Sequence, residues 1–134
     1  MKKKEELQKK AIQFQILNAT LGTFQEKARL LTQRIEELQK TKDAIEELKR
    51  TKPDKALIPL GSGNFIVGRI EDTENIIVGI GAGVAIKKKR EDAIEILNSR
   101  LRELEVSMNE VANRIQILSQ EIEKLQLEIE ELQK

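Results

Sequence analysis

The sequence lacks cysteine, histidine, tryptophan and tyrosine, and its only aromatic residues are three phenylalanines among 134 residues. Without cysteine and histidine there are no disulfides, no thiol nucleophile, no imidazole base and none of the usual zinc ligand sets. With 35% charged residues and 2% aromatic residues, the chain has little material for a compact globular core. We therefore expect an elongated helical protein, with no metal and no catalytic residues, that buries surface against partner chains.

Long apolar runs are also missing. No stretch reaches the roughly 18 apolar residues needed to span a bilayer. Met1 is followed by three lysines and two glutamates, which is not the start of a signal peptide. We expect a cytoplasmic protein with no membrane partner.

The net charge is only +1, so nucleic-acid binding has no electrostatic support. The charge is nevertheless unevenly distributed. Residues 1–52 carry a net +5, residues 53–90 a net +2 and residues 91–134 a net −6. The two ends of the chain are therefore electrostatically complementary.

Apolar residues recur at alternating steps of three and four in both terminal segments, which is the 3.5-residue repeat of a coiled coil. The first series covers Leu7–Ile45, with polar exceptions at Lys10 and Lys42. The second series covers Ile94–Leu132 and has no polar exception. These two series define the predicted seam.

The repeats predict two long helices, over residues 1–52 and 91–134. Pro53 would end the first helix, because proline cannot continue the hydrogen-bond ladder. Glu91 and Asp92 suit the positive N-terminal end of the second helix. Residues 53–90 remain as a separate segment between the helices.

An intramolecular antiparallel pairing of the helices can be written as residue numbers that sum to 139, so that Leu7 lies opposite Leu132 and Ile45 opposite Ile94. This register leaves neither helix overhanging and places a basic helix against an acidic one. We therefore predict a two-helix antiparallel coiled coil. Two separate parallel coiled coils with other chains stay open as the alternative, because heptads alone do not set partner or orientation.

Between the helices the pattern changes to short runs rich in β-branched residues, which are typical of strands. The separators are rich in glycine, aspartate and threonine, as in turns between antiparallel strands. We predict two successive β-hairpins and hence an α+β fold, with a small β module at the base of the coiled coil. The predicted strands are residues 57–60, 64–70, 75–80 and 84–87.

The apolar residues of these strands do not alternate with polar ones, which indicates burial on both faces. Four short strands cannot cover both of their faces alone. We expect other subunits to cover them, the alternative being that the module packs on the base of its own helices. The predicted oligomerisation residues are Leu57, Ile58, Leu60, Phe65, Val67, Ile76, Ile77, Val78, Ile80 and Val84.

The glycine clusters do not carry the signs of a nucleotide site. The Gly79–Val84 segment resembles a dinucleotide fingerprint, but its third glycine is replaced by Val84 and a strand follows instead of a helix. Gly61–Gly63 lacks the Gly-Lys-Ser/Thr ending of a P-loop. The basic run Lys87–Arg90 has no interleaved aromatic residues for base stacking, so we interpret it as a solvated strand end. We expect no cofactor and no nucleic-acid partner.

Two features distinguish the ends of the helices that carry the chain termini. Ile12, Ile16, Ile117 and Leu127 are apolar but lie outside the seam. Lys10 occupies a seam position, where its long stem either reaches past the seam to water or weakens the seam so that the helix ends can splay. Both interpretations of Lys10 stay open.

The hairpin sequences are the most particular part of the chain: Leu57–Phe65 reads LIPLGSGNF and Val78–Gly83 reads VGIGAG. Set between two heptad helices, they closely resemble prefoldin over essentially the whole chain. Two hairpins, as opposed to one, are a feature of the alpha class of prefoldin subunits.

The resemblance implies an ATP-independent chaperone subunit. In archaea such subunits typically form a hexamer of alpha-type and beta-type chains, whose hairpins build a central β-barrel. The coiled-coil tips capture unfolded proteins and deliver them to a group II chaperonin. A divergent gamma variant assembles with itself into filaments, and both assemblies stay open here, as does a purely structural coiled-coil protein that binds clients only incidentally.

If the tips bind unfolded clients, weak apolar contacts from several tips would add through multivalency. We expect those contacts among the apolar residues nearest the chain termini. The predicted client-binding residues are Leu7, Ile12, Phe14, Ile16, Leu17, Leu125, Leu127, Ile129 and Leu132.

Overall fold

The computed structural model of the chain describes residues 2–134, and in it two long helices flank four short strands. Neither helix contains a stretch apolar enough to cross a membrane, within these described residues. The chain divides into a coiled-coil unit, residues 2–35 and 103–134, and a hairpin unit, residues 36–102. The elements are α1 (Lys2–Thr51), β1 (Lys55–Gly61), β2 (Asn64–Arg69), β3 (Asn75–Gly81), β4 (Val84–Lys89) and α2 (Arg90–Gln133).

In the coiled-coil unit the helices run antiparallel. Lys10 of α1 bonds Glu128 of α2, and the guanidinium of Arg114 lies 6.0 Å from the ring centre of Phe24. Each pair of numbers sums to 138, so each seam residue contacts the neighbour of the residue that the predicted sum of 139 places opposite it. The antiparallel prediction is therefore confirmed.

The seam of this unit consists of the predicted heptad positions. Every predicted seam residue in it is buried or half-buried, and Leu118 is 1% exposed. Burying a leucine side chain of this kind stabilises a fold by roughly 1.5–3 kcal/mol. The 3.5-residue repeat thus accounts for the packing of both helices.

The hairpin unit begins where α1 ends. Lys52 adopts a left-handed conformation with φ of 45°, and its N–H donates to the Leu48 carbonyl at 3.1 Å. Pro53 follows and cannot extend the helix. On the other side of the hairpins α2 begins at Arg90, one residue earlier than predicted.

Each hairpin is a separate antiparallel two-stranded sheet, the first formed by β1 and β2 and the second by β3 and β4. Both turns have two residues in the left-handed region, Ser62–Gly63 and Ala82–Gly83. Turns with two positive φ angles match the twist of antiparallel strands. The two predicted hairpins are confirmed.

The strands differ from the predicted ones at their ends. β1 begins at Lys55 and β4 continues to Lys89, whereas β2 ends at Arg69. The added residues are charged or small, so an apolar pattern could not reveal them; they are Lys55, Ala56, Gly61, Gly81, Lys88 and Lys89. Lys55 lies opposite Arg69 across the first hairpin.

The two hairpins repeat one backbone pattern at an offset of twenty residues. Lys55 pairs with Arg69 in the first, and Asn75 pairs with Lys89 in the second. In each hairpin the pairing register of the two strands shifts by one residue just before the turn, at Leu60 and at Ile80. Residues in the two hairpins can therefore be compared position by position.

Asp72 organises the connection between the hairpins. Its carboxylate accepts hydrogen bonds from the Asn75 side chain at 2.8 Å and from the N–H groups of Glu74 and Asn75 at 2.9 and 3.1 Å. These bonds, the side-chain one foremost, lower the pKa of Asp72 below its usual value. A local aspartate turn therefore fixes the start of β3.

Candidate binding and assembly surfaces

Exposed large apolar side chains concentrate on the hairpins. In the described part of the chain, nine of fifteen such residues belong to the strands β1–β4. The other six are spread over two helices that are many times longer. Apolar surface this dense on a small sheet is typical of a contact with another chain.

The first hairpin is exposed on both faces. Pairing places Leu57 opposite Val67 on one face and Ile58 opposite Ile66 on the other, and all four side chains are exposed. Leu60, at the bulge, is exposed as well. Nothing in the hairpin unit covers this sheet.

The second hairpin is different, because one of its faces packs on the helices of its own unit. Val78 is 7% exposed and borders the same groove as Ile45, Ala93 and Leu97. The backbone carbonyl of Gly79 accepts a hydrogen bond from the Arg100 guanidinium at 2.8 Å. The hairpin is thus attached to α2.

The position of Val78 corrects one prediction. Val78 was expected to be available to another subunit, but it is buried against its own helices, as in the alternative we left open. Ile76 is half-buried on the same face. The other predicted oligomerisation residues, in β1, β2, β3 and β4, are exposed.

The twenty-residue offset makes the contrast quantitative. Ile58 of the first hairpin corresponds to Val78 of the second, and the two side chains are 49% and 7% exposed. Equivalent apolar residues therefore meet different surroundings. Nothing in the sequence indicates that Arg100 binds the second hairpin. Ile66 is missing from the predicted oligomerisation residues, although its apolar neighbours Phe65 and Val67 indicate it.

The end of the coiled-coil unit that carries the chain termini is the second candidate surface, referred to below as the tip. Among the nine predicted client-binding residues, Ile12, Ile16 and Leu127 are exposed. Leu125 is 5% exposed in the seam, so it could contact a client only if the helices separated. The remaining residues, which are half-buried, are Leu7, Phe14, Leu17, Ile129 and Leu132.

The exposed tip residues do not form one patch. Ile12 and Leu127 are 57% and 62% exposed, and both occupy the heptad position farthest from the seam. They therefore lie on the outer faces of different helices. Ile16 is one turn from Ile12 on α1, so these two exposed side chains are neighbours on the surface of that helix.

Lys10 is held in the seam by an ion pair that sequence analysis missed. Its Nζ lies 2.7 Å from Oε2 of Glu128, and its side chain is 22% exposed. The hydrogen bond lowers the pKa of Glu128 and raises the pKa of Lys10. Lys10 thus binds a residue adjacent to Ile129, its predicted opposite, and the bond joins the two helices at the tip.

The described residues contain no group of three or more aspartates and glutamates that could hold a metal ion. No polar or charged side chain among them is buried.

Comparison with known proteins points to one family. The family model of the prefoldin subunit matches residues 17–134. Prefoldin subunit alpha 1 of Thermococcus kodakarensis is 40% identical over 103 residues, which cover 76% of this chain and 68% of the relative. Prefoldin subunit alpha of Pyrococcus horikoshii is 30% identical over 131 residues, covering 96% and 88%.

Among solved structures, a filamentous PFD from Methanocaldococcus jannaschii, determined by cryo-EM, superimposes with a TM-score of 0.73. The match covers 86% of this chain and 96% of the other at 19% identity. At this identity the likeness concerns the fold alone.

Proposed function

Because the chain belongs to the prefoldin family, whose subunits are non-enzymatic chaperones, we propose that it is an alpha-class subunit that holds unfolded proteins without ATP. Assembly takes place through the hairpins, and clients bind at the coiled-coil tips. Delivery of the client to a group II chaperonin completes the proposed cycle, which takes place in the cytoplasm.

The observation that carries client binding is the exposure of Ile12, Ile16 and Leu127 at the tip. An unfolded chain exposes apolar segments, and burying them against these side chains is favourable at roughly 25 cal/mol per Å². A few side chains give a weak contact. Several tips in one assembly would hold a client through multivalency while each contact stays reversible.

The assembly is proposed from the hairpin unit. The first hairpin exposes apolar side chains on both faces, and a sheet of two strands is marginally stable by itself. A partner subunit that covers it would stabilise both. Beta-type prefoldin subunits are the proposed partners in a hexamer.

A truncation tests client binding at the tip. Deleting residues 1–17 and 122–134 removes the tip from both helices at matched heights, since 17 and 122 sum to 139. We expect loss of the ability to suppress aggregation of an unfolded test protein, with the number of subunits in the assembly unchanged. Suppression that survived this deletion would contradict the proposal.

A matched control is available because the coiled coil is periodic. Deleting one heptad from each helix, residues 22–28 and 111–117, shortens the coiled coil equally on both sides and keeps the tip. The seam stays in phase because seven residues are removed from each helix. We expect this variant to suppress aggregation as the full chain does.

A second candidate function is a self-assembling structural filament that binds clients only incidentally. The uncovered first hairpin favours it, as does the shared fold with the filamentous PFD. Electron microscopy of the purified chain, alone and with a beta-type subunit, distinguishes the candidates. Filaments without aggregation suppression would favour the structural function.

A further inference from the structure

The two sides of the seam differ in the coiled-coil unit. On α2 the seam residues Val111, Leu118 and Leu125 are 3%, 1% and 5% exposed, whereas Ile122 and Ile129 are half-buried. Residues seven positions apart lie on the same side of a coiled-coil helix, so each set follows one side of the seam. One side is therefore packed and the other is partly open.

The packed side is held together by charged side chains. The ion pair of Lys10 and Glu128 lies there, and so does the guanidinium of Arg114 beside the ring of Phe24. Glu128 and Arg114 each follow a buried seam residue of α2 by three positions, which places both on the same side of that helix. We refer to this side as the ion-pair side.

The open side contains a groove between the two helices at the tip. Its floor is apolar and consists of Phe14 and Ile129, which are half-buried, with Ala11 beside them. The groove has a volume of about 400 Å³. Sites that hold small ligands have volumes of roughly 300–1,000 Å³, so the groove can take several side chains of another chain.

The rim of this groove is rich in amides. Gln15 lines it on α1, and Gln126 and Gln133 line it on α2. A glutamine amide both donates and accepts hydrogen bonds, and an unfolded chain carries free N–H and carbonyl groups in its backbone. The rim can therefore bond the backbone of an extended segment while apolar side chains of that segment cover the floor. We call the floor and the rim together the glutamine groove.

Glu130 is the only charged residue that lines the glutamine groove. Its side chain is exposed and makes no ion pair within residues 2–134. Glu123, which precedes it by one heptad and lies on the same side of α2, is exposed as well. The groove thus offers a free carboxylate, which complements a basic side chain in an occupant.

The glutamine groove also lies between the two exposed outer residues of the tip. Gln15 is one turn from Ile12 on α1, and Glu130 is one turn from Leu127 on α2. A segment that lies across the groove can therefore contact both outer residues, although these belong to different helices.

We propose that the glutamine groove is where the tip binds a client, and that it selects extended apolar segments that carry a basic side chain. This rests on the proposed function and specifies the side of the coiled coil and the class of segment. Apolar side chains lie against Phe14 and Ile129, the backbone bonds the glutamines, and the basic side chain pairs with Glu130. Many different sequences satisfy these requirements.

The absence of cysteine makes the side of binding measurable, because any cysteine introduced into the chain is unique. Gln15→Cys places one at the groove, and Gln13→Cys places one on the ion-pair side, since residue 13 follows Lys10 by three positions. Both glutamines are exposed, so the two variants are matched. Each full-length variant is labelled with a benzophenone maleimide and irradiated together with an unfolded test protein. We expect severalfold more crosslinked test protein from position 15 than from position 13.

Equal crosslinking from the two positions would overturn the proposal. So would stronger crosslinking from position 13, which would mean that clients bind near the exposed Ile16 on the ion-pair side. An absence of crosslinking from both positions, with aggregation still suppressed, would overturn it as well. Client binding at the tip would stand in each case, because the tip truncation tests it separately.

A pair of charge reversals tests the class of segment. Glu130→Lys acts in the groove, and Glu131→Lys is the control, because it makes the same change of charge at an exposed neighbour outside the groove. The probes are two short fluorescein-labelled peptides of leucine and serine, one with a single lysine and one with a single glutamate in its place. Fluorescence anisotropy measures their binding. We expect the unmodified chain to bind the lysine peptide about twofold to fivefold more tightly, as for one exposed ion pair.

Glu130→Lys should reverse this preference, whereas Glu131→Lys should retain it. The preference should also shrink in high salt, because the groove is open to solvent. Neither substitution requires the seam to repack, since both side chains are exposed. An unmodified chain that bound the two peptides equally, or equal effects of the two variants, would overturn the selection of basic segments.

Discussion

Lys10 and Glu128 join the two helices of the coiled-coil unit through a 2.7 Å contact between Nζ and Oε2. The contact crosses the seam at the tip, where Lys10 occupies one of the two polar positions in the heptad series of α1. An ion pair at a seam position favours one register, because sliding the helices separates the charges. It also makes the tip sensitive to pH.

The direction of this pH dependence follows from the two pKa shifts. The pKa of Glu128 is lowered from 4.5 by its hydrogen bond from Lys10, so its stabilisation is full above that value and is lost as the pH falls through the folded pKa. The pKa of Lys10 is raised from 10.5, so its contribution is full below that value and is lost at more alkaline pH.

We expect Glu128→Gln to lower the midpoint temperature of unfolding at neutral pH. Below about pH 5 the midpoint temperature of this variant should fall less steeply with pH than that of the unmodified chain. The difference from the unmodified chain should be small and should shrink in high salt, because both side chains are partly exposed. Thermal unfolding of both proteins, followed by circular dichroism at several pH values, measures this difference. Parallel acid profiles for the two proteins would contradict a role for this pair.

Leu118 and Ile117 are adjacent in sequence and 1% and 45% exposed. We expect Leu118→Ala to cost about 2–5 kcal/mol of unfolding free energy, because it leaves a cavity in the seam. Ile117→Ala, on the outside of α2, should change it by less than about 1 kcal/mol. Denaturant unfolding of both variants compares them, and similar losses would mean that the seam is not where the structure places it.

Arg100→Ala should loosen the second hairpin and free the Gly79 carbonyl. We expect amide exchange in β3 to become about fivefold to tenfold faster, corresponding to the loss of one hydrogen bond. Larger assemblies should also form, because the edge of β3 becomes available. Arg102→Ala, which alters an exposed arginine on the same helix, is the control and should change neither measurement.

Single substitutions at the tip distinguish exposed residues from the seam. Ile12→Ser and Leu127→Ser should reduce aggregation suppression severalfold and leave the thermal midpoint within about 2 °C, since neither side chain is packed. Val106→Ser, another exposed apolar residue of α2, is the matched control. If all three variants suppressed aggregation equally, the exposed tip residues would have no special role.

The coiled coil was predictable because its packing is periodic. Each seam residue between Leu7 and Ile45, and between Ile94 and Leu132, occupies a position that the 3.5-residue repeat specifies, and all are buried or half-buried. The charge asymmetry of the two ends indicated the antiparallel orientation. Lys10 could be located on the seam from sequence, but its partner could not, because the lysine binds Glu128, which is adjacent to the predicted opposite residue Ile129.

The hairpins were predictable as elements, but their surroundings were not. Ile58 and Val78 occupy equivalent positions in two similar apolar strands, so no local pattern tells which will be buried. The difference comes from long-range contacts with the helices, namely the groove that Val78 shares with Ala93 and Leu97 and the bond made by Arg100, an arginine on a helix with many other charges. Its bond to the carbonyl of Gly79 is a long-range contact between residues 21 positions apart.

The uncovered first hairpin has a consequence for the protein outside its assembly. A chain synthesised in excess of its partners would display apolar strands and an open edge to the rest of the cell. Such an orphan subunit is itself an aggregation risk, because an uncovered apolar hairpin can pair with other chains. Balanced synthesis of subunits, as much as the binding of clients, would therefore govern how much of this protein persists in a usable form.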